Sequence, residues 1–357
     1  MSTDTFAGAL LAWFDVHGRH DLPWQHPRTP YRVWLSEVML QQTQVRTVIP
    51  YFERFIDALP SLDALAAAPL DRVLALWSGL GYYSRARNLH KAATICVAEH
   101  GGELPRDIEA LAALPGIGRS TAAAILAQAH GSRHAILDGN VRRVLARWHG
   151  VRGWPGATTV QRTLWSHAEA HTPSDRVADY TQAIMDLGAT VCVRSRPHCM
   201  RCPVASGCVA LREGATAELP EPKPARERPT RETTMLIVRD EAGRVLLERR
   251  PPVGIWARLW SLPESADAKS AADLLRDRYS VRAKSSQALG TFVHSFTHYY
   301  LRVTPLVVAG SQADRVADDE RAWVSRDELD ELGLPAPVRK LLNTVFEEDR
   351  WRESSTA

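Results

Sequence analysis

The chain has 357 residues, 45% of them hydrophobic and 24% charged, with a formal net charge of +3. That length and composition indicate two or three domains with real cores and exclude a disordered protein. No run approaches the roughly 20 apolar residues needed to cross a bilayer, and the start carries Asp4 rather than a basic secretory leader, so a protein of the cytoplasm is expected. With so small a net charge, any nucleic-acid binding must come from local patches.

Up to about residue 190 the chain reads as helix after helix, rich in Ala and Leu and punctuated by Pro and Gly. Helices are expected over Tyr31–Gln44, Leu70–Trp77, Arg85–His100, Ile108–Leu114, Arg119–His130, Val141–His149 and Val160–His171. The stretch from Leu219 to Arg231 holds four prolines and a dense run of charges, and it reads as an extended linker. Beyond it the pattern changes. Thr233–Arg239, Val245–Arg249 and Gly290–Val308 alternate as strands do, and Ala271–Tyr279 and Ala336–Phe346 read as helices. The expected organisation is an all-α domain over residues 1–218, a linker over 219–231, and a mixed α/β domain over 232–350.

Four motifs carry chemistry. The first is Leu114-Pro-Gly-Ile-Gly-Arg-Ser-Thr-Ala122, where a helix stops, turns through Gly116 and Gly118, and restarts near Arg119. Its free N–H groups could bind a phosphate, or its glycines could simply turn the chain. The second is Ile136-Leu-Asp-Gly-Asn-Val-Arg-Arg143, where Asp138 precedes a helix and reads as an N-cap. Arg142 and Arg143 follow as surface charges or phosphate contacts. The third is Trp34-Leu-Ser-Glu-Val-Met-Leu-Gln-Gln-Thr-Gln44. On a helix, Glu37 shares its face with Val33, Trp34, Leu40 and Gln41. Such neighbours desolvate a carboxylate and raise its pKa towards the range of a general acid, although a structural ion pair would also fit. Gln41 to Gln44 suit either base edges or a solvated face.

The fourth motif is a cysteine cluster. Four of the five cysteines, Cys192, Cys199, Cys202 and Cys208, fall within 17 residues, and the odd total argues against a disulfide framework. One C-x2-C pair with two flanking cysteines suits a [4Fe–4S] cluster better than a zinc ribbon, which uses two such pairs. Arg194, Arg196 and Arg201 decorate the loop as candidate phosphate contacts. Cys96 reads as buried and inert.

Together these motifs resemble the iron–sulfur DNA glycosylases of the helix-hairpin-helix superfamily, in order from residue 1 to about 212. The finer resemblance is to the adenine DNA glycosylase family. It rests on Leu22-Pro-Trp24, the Glu37 helix, Gly79-Leu-Gly-Tyr-Tyr-Ser-Arg-Ala86 and Ile136-Leu-Asp-Gly-Asn140, and the second domain extends it nearly to the C-terminus. The resemblance implies removal of adenine mispaired with 8-oxoguanine or guanine in duplex DNA by base flipping. Glu37 matches the catalytic acid, and Asp138 the carboxylate beside the deoxyribose, which stabilises the developing cation or bonds to it covalently. The pair is expected to be pushed apart in pKa, Glu37 up and Asp138 kept ionised. Asn140 supports Asp138. Ser120 stands where related lyases carry a Lys nucleophile, which implies a monofunctional enzyme. Gln42, Thr43 and Tyr82 match contacts around the lesion, and Trp24 and Gln182 the adenine pocket.

The second domain resembles the Nudix fold. Its helix Ala271–Tyr279 carries Asp273 and Asp277 but no glutamate run for magnesium, which leaves recognition as its role. Phe296-Thr-His298 matches a loop that reads 8-oxoguanine, with Thr297 and His298 as its polar contacts. The implied partner is double-stranded DNA, met by a monomer with a [4Fe–4S] cofactor and no membrane. The rival readings are an oxidised-pyrimidine lyase, a Nudix hydrolase with a DNA-binding appendage, and a zinc module without catalysis.

Overall fold

The computed structural model describes residues 5–224, 227–312 and 320–354, so Asp4 and two linker positions, 225 and 226, lie outside the described residues. In chain order the helices are α1 (Thr5–His17), α2 (Pro30–Leu40), α3 (Val45–Ala58), α4 (Leu62–Ala67), α5 (Leu70–Leu76), α6 (Ser84–Glu99), α7 (Ile108–Ala113), α8 (Arg119–His130), α9 (Gly139–His149), α10 (Thr158–His171), α11 (Val177–Asp186) and α12 (Val209–Arg212). The strands that follow are β1 (Thr230–Arg239), β2 (Val245–Arg249), β3 (Trp260–Ser261), β4 (Glu264–Ser265), β5 (Val281–Ala288), β6 (Phe292–Ser295), β7 (Tyr300–Gln312) and β8 (Arg321–Val324). Helix α13 (Ala271–Tyr279) precedes β5, and α14 (Ala336–Ser354) follows β8.

The chain forms two compact units, and the division is not linear. One unit is residues 1–67 with 88–225; the other is residues 68–87 with 226–357. A segment read as part of the helical domain therefore packs with the sheet.

The helical unit is built on a core of Phe6, Leu10 and Phe14 from α1, Ala123 and Ala124 from α8, Val144 and Leu145 from α9, and Tyr180, Ala183 and Ile184 from α11. Small side chains on α8 let neighbouring helices approach it closely. Its ends are set by sequence: Gly118 is the N-cap, and Gly131 closes the C-terminus in the left-handed conformation at φ 67°. The expected long helix over Tyr31–Gln44 is broken. Helix α2 ends at Leu40, Gln42 takes φ 61°, and Gln44 is the extended N-cap of α3. The Thr43 N–H bonds to the Leu40 carbonyl across this turn.

In the other unit the strand order is β3-β2-β1-β7-β5, with β4 on β1, β6 on β7 and β8 on β2. β1 and β7 run parallel over ten paired residues. Alternation along β1 sorts its side chains. Met235 and Ile237 face a core shared with Val338, Leu342 and Val345 of α14, while Leu236 and Val238 face Ala271, Leu275 and Tyr279 of α13. The expected single strand over Gly290–Val308 is a hairpin. Phe296 N–H bonds to the Tyr299 carbonyl, which turns the chain between β6 and β7. The linker is also shorter than expected: Leu219 is buried against Ala210 and Ala215, and β1 starts at Thr230. No helix among the described residues is long and apolar enough to cross a membrane.

Candidate active site

A cleft of about 750 Å³ opens in the helical unit, and Trp24, Glu37, Thr43, Ser120, Asp138, Asn140 and Gln182 all line it. These residues come from α2, α8, α9, α11 and the turns between them, over more than 150 residues of sequence. Arg19, Arg46, Arg142, Arg143 and Arg194 also line it, so the cleft is strongly cationic despite the small net charge.

Glu37 sits on the side of α2 that leads from the apolar core into the cleft. Its Oε1 accepts from Gln128 Nε2 at 3.1 Å. Burial, reinforced by repulsion from Asp138, pushes its carboxyl up to about 7. Gln128 did not emerge from the sequence, yet there was a signal: it is the one amide inside the otherwise apolar run Ala122–Ala127 and Ala129 of α8.

Asp138 is the N-cap of α9. Its Oδ1 accepts from Val141 N at 2.8 Å, and its Oδ2 from Asn140 Nδ2 at 3.3 Å. The expectation from the family resemblance is an Asp138 held ionised while Glu37 rises. Instead burial raises both, because Asp138 is as enclosed as its partner. Opposing that rise are the Val141 and Asn140 N–H groups and the charges of Arg143 and Arg142. Glu37 has one such donor and Asp138 has several.

Ser120 has a positional role as well. Its Oγ accepts from Leu137 N at 2.9 Å, which ties the start of α8 to the strap that carries Asp138. Arg143 is neither a surface charge nor a free phosphate contact. It donates to Cys192 O at 2.7 Å, Gly188 O at 2.6 Å and Asn140 Oδ1 at 2.8 Å. Gln182 is 3% exposed, and its Nε2 donates to Asp186 Oδ1 at 2.7 Å. Asp186 in turn takes Arg19 at 2.6 Å and 2.9 Å. Since a carboxylate only accepts, this fixes the Gln182 amide with its nitrogen on Asp186. Trp24 is buried with its ring edge-to-face against Phe52, 5.4 Å between centroids.

Gln42 is exposed on the turn after α2 and does not line the cleft. In the hairpin between α7 and α8, Gly116 takes φ 79°, and a Cβ there would lie 2.8 Å from Asn88 Cβ, so glycine is required. Gly118 has an ordinary φ of −91° and open space above it. There the first-turn N–H groups of α8 have no intrahelical acceptor.

The four clustered cysteines line one small cavity together with Arg147. Arg147 is 3% exposed and organises the loop. It donates to Cys192 Sγ at 3.4 Å, Val193 O at 2.7 Å, Arg194 O at 3.0 Å and Leu219 O at 2.8 Å. Among the described residues no group of three or more His, Cys, Asp or Glu is placed to hold a metal ion. Cys96 is buried, and burial pushes its thiol up to about 11.

Tyr82, Thr297 and His298 belong to the other unit. Tyr82 is 50% exposed at φ 48°. Thr297 and His298 are exposed at the β6–β7 turn. Beneath them Phe296 stacks on Tyr299 at 4.8 Å and meets His294 edge-to-face at 4.7 Å. On α13, Asp273 and Asp277 both pair with Arg276, at 2.8 Å and 2.9 Å.

Residues 35–170 match the HhH-GPD superfamily of base excision DNA repair proteins, and residues 234–344 match the NUDIX domain. The fold of the helical part is shared with a thermostable thymine-DNA glycosylase, at 27% identity and a TM-score of 0.53 over 58% of this chain and 95% of that one. The adenine DNA glycosylase of Buchnera aphidicola subsp. Acyrthosiphon pisum is 34% identical over 344 residues, covering 96% of this chain and 98% of that protein. The Homo sapiens adenine DNA glycosylase is 35% identical, covering 94% of this chain and 73% of its own. A helical repair fold with two carboxyl groups in one cationic cleft, a Nudix-type sheet and near full-length likeness on both sides lead to one conclusion: the chain belongs to the adenine DNA glycosylase family.

Proposed function

We propose that this protein is a monofunctional glycosylase that removes adenine from duplex DNA where it faces 8-oxoguanine or guanine. The observation that carries the reading is the pairing of Glu37 and Asp138 in one cleft, with Glu37 held near 7. A group with that pKa keeps its proton in about half of the molecules at neutral pH and can donate in the transition state. Glu37 protonates N7 of the flipped adenine. The C1′–N9 bond then breaks, its electron pair leaving with the base. Asp138, as the carboxylate, faces the developing positive charge on the sugar. Water adds at C1′ and gives up its proton, which restores the acid and leaves an abasic site. Ser120 offers no amine for an imine, so the strand stays intact.

Gln182 contributes selection. With its nitrogen committed to Asp186, its carbonyl oxygen is left to accept from an exocyclic amine such as that of adenine. Gln42 and Tyr82 wedge into the duplex, Thr43 contacts the strand, and the N–H groups beside Gly116 and Gly118 take a phosphate. Thr297 and His298 read the opposite base. The protein acts as a monomer on DNA in the cytoplasm.

The donor set Cys192, Cys199, Cys202 and Cys208 suits a [4Fe–4S] cluster, because four thiols face one cavity and a buried guanidinium stands beside Cys192 Sγ. When bound, the cluster holds the 192–208 loop, and so the position of Arg194 at the cleft. Cys199→Ser is expected to remove the visible absorbance of the purified protein and most of its duplex affinity. A colourless variant that binds as tightly as the parent would separate the cluster from DNA binding. The activity itself is tested by incubating an adenine:8-oxoguanine duplex and then treating it with alkali. Strand breaks are expected after alkali and not before. An intact duplex after alkali would overturn the reading.

A further inference from the structure

The turn that presents Tyr82 is held by two segments far apart in sequence, residues 68–87 and the sheet domain. Tyr82 takes φ 48°, a conformation that a bulky residue keeps only where its surroundings impose it. Part of the restraint is local. Arg85 donates to Leu80 O at 3.3 Å and Gly81 O at 3.2 Å, and its guanidinium lies 5.6 Å from the Tyr82 ring. Trp77 Nε1 donates to Gly81 O at 3.2 Å.

The rest comes from residues far along the sequence in the same compact unit. The Tyr83 hydroxyl accepts from Gly79 N at 3.3 Å and donates to Leu334 O at 2.7 Å. One buried oxygen thus joins the first residue of the turn to the Nudix-type domain. Ser78 Oγ donates to the same carbonyl, and Arg339 Nε donates to Ser78 Oγ, both at 3.3 Å. Arg87 donates to Ala257 O at 2.9 Å, and Arg249 grips Asp71 at 2.9 Å and 2.7 Å. Gly333 lies so close to Leu74 that a Cβ on it would meet Leu74 Cβ at 2.7 Å.

We infer that the second domain positions Tyr82 for insertion into DNA, with the Tyr83 hydroxyl as the positioning group. The domain read as a lesion reader is then also the mount for the wedge. This rests on the reading of Tyr82 as a wedge, and the two can fail separately.

The experiment uses the full chain with Tyr82→Ala, Tyr83→Phe and the double substitution. Single-turnover adenine release is measured on an adenine:8-oxoguanine duplex, and amide hydrogen exchange is followed over residues 78–86. Tyr83→Phe removes one hydroxyl and keeps the buried ring. It is expected to speed exchange across the turn and to slow release at least about fivefold, because the hydroxyl's bonds to Gly79 N and Leu334 O are both lost. In the Tyr82→Ala background it is expected to add nothing, because there is no ring left to position. A purely structural role would instead slow both backgrounds alike, and that result would overturn the proposal. Exchange and release in Tyr83→Phe equal to the parent would also overturn it. Release by Tyr82→Ala equal to the parent would remove the wedge and the proposal with it, while loss in Tyr82→Ala alone would spare the wedge. Arg87→Met, which breaks a second anchor at Ala257, is expected to act in the same direction as Tyr83→Phe.

Discussion

The cleft of the helical unit and the β6–β7 turn of the sheet unit differ in construction, and on the proposed reading they serve different tasks. In the cleft the polar side chains are enclosed and bonded to one another: Glu37 to Gln128, Asp138 to Val141 and Asn140, and Gln182 to Asp186. Each is held in one geometry, and enclosure shifts protonation. At the turn, Thr297 and His298 are exposed, and only the base beneath them is rigid, through the Phe296–Tyr299 stack. Chemistry needs tuned and fixed groups, whereas reading a partner needs groups that can reach it. Substitutions in the cleft should therefore act on rate, and substitutions at the turn on discrimination.

The largest effect is expected from Glu37→Gln. An amide fills the same space but cannot act as the acid, so adenine release should fall about 1000-fold with duplex binding kept. The same variant changes the pH response. In the folded protein the Glu37 carboxyl lies near 7, above its ordinary value of 4.5. Its folded-state pKa is raised, so the folded protein holds the proton more tightly than the unfolded chain. Stability is lost as pH rises between those values, by up to about 3 kcal/mol. Glu37→Gln should abolish that slope and be the more stable protein at pH 8. Parallel thermal-melting curves from pH 5 to pH 8 would show that Glu37 is not buried as described.

Asp138→Asn comes next. Asn caps a helix as well as Asp does, so α9 and the melting temperature should change little. Adenine release should fall by about 100-fold, because the negative charge facing the sugar is gone. A large drop in melting temperature with near-normal release per folded molecule would make Asp138 a cap and nothing more. Ser120→Lys should give a weak borohydride-trappable lyase activity that the parent lacks. It also removes the acceptor of Leu137 N, at a cost of about 1 kcal/mol in stability. Trapping of the unsubstituted protein would sink the monofunctional reading.

How much of this was legible in the sequence depends on distance along the chain. The ends of α8 are legible to the residue because Gly118 and Gly131 mark them, and the capping role of Asp138 because Asp before a helix is a local signal. Helix α11 gave no such mark: it starts after Arg176 at φ 54°, with no capping side chain. The turn after α2 was hidden because Gln42 carries none of the usual signs of a left-handed residue. The Arg19–Asp186–Gln182 chain and the Asp71–Arg249 pair join residues 167 and 178 positions apart, and no local pattern announces either. Packing of residues 68–87 with the sheet was out of reach for the same reason. It also alters one experiment. A chain cut at residue 231 would lose the partners of that segment along with the β6–β7 turn, so point substitutions separate the two roles more cleanly.

The smallest effect is expected from Thr297→Ala. The turn closes through backbone atoms, Phe296 N–H to Tyr299 O at 2.9 Å, and through the aromatic stack, so removing the Thr297 hydroxyl should leave its shape alone. On the proposed reading, what is lost is one hydrogen-bonding group offered to the base opposite adenine. That is worth about 1 kcal/mol, or about a fivefold loss in preference for 8-oxoguanine over guanine. The rate on the adenine:guanine duplex should not move, because Glu37 and Asp138 are untouched. Thr297→Ser restores the hydroxyl without the methyl and should restore most of the preference. The measurement is the ratio of single-turnover rates on the two duplexes. If alanine kept the full ratio, Thr297 would be a spacer and the reading would fall to His298 or the backbone of the turn. If alanine slowed both duplexes equally, the turn would serve binding in general and the division between a cleft for chemistry and a turn for reading would not hold.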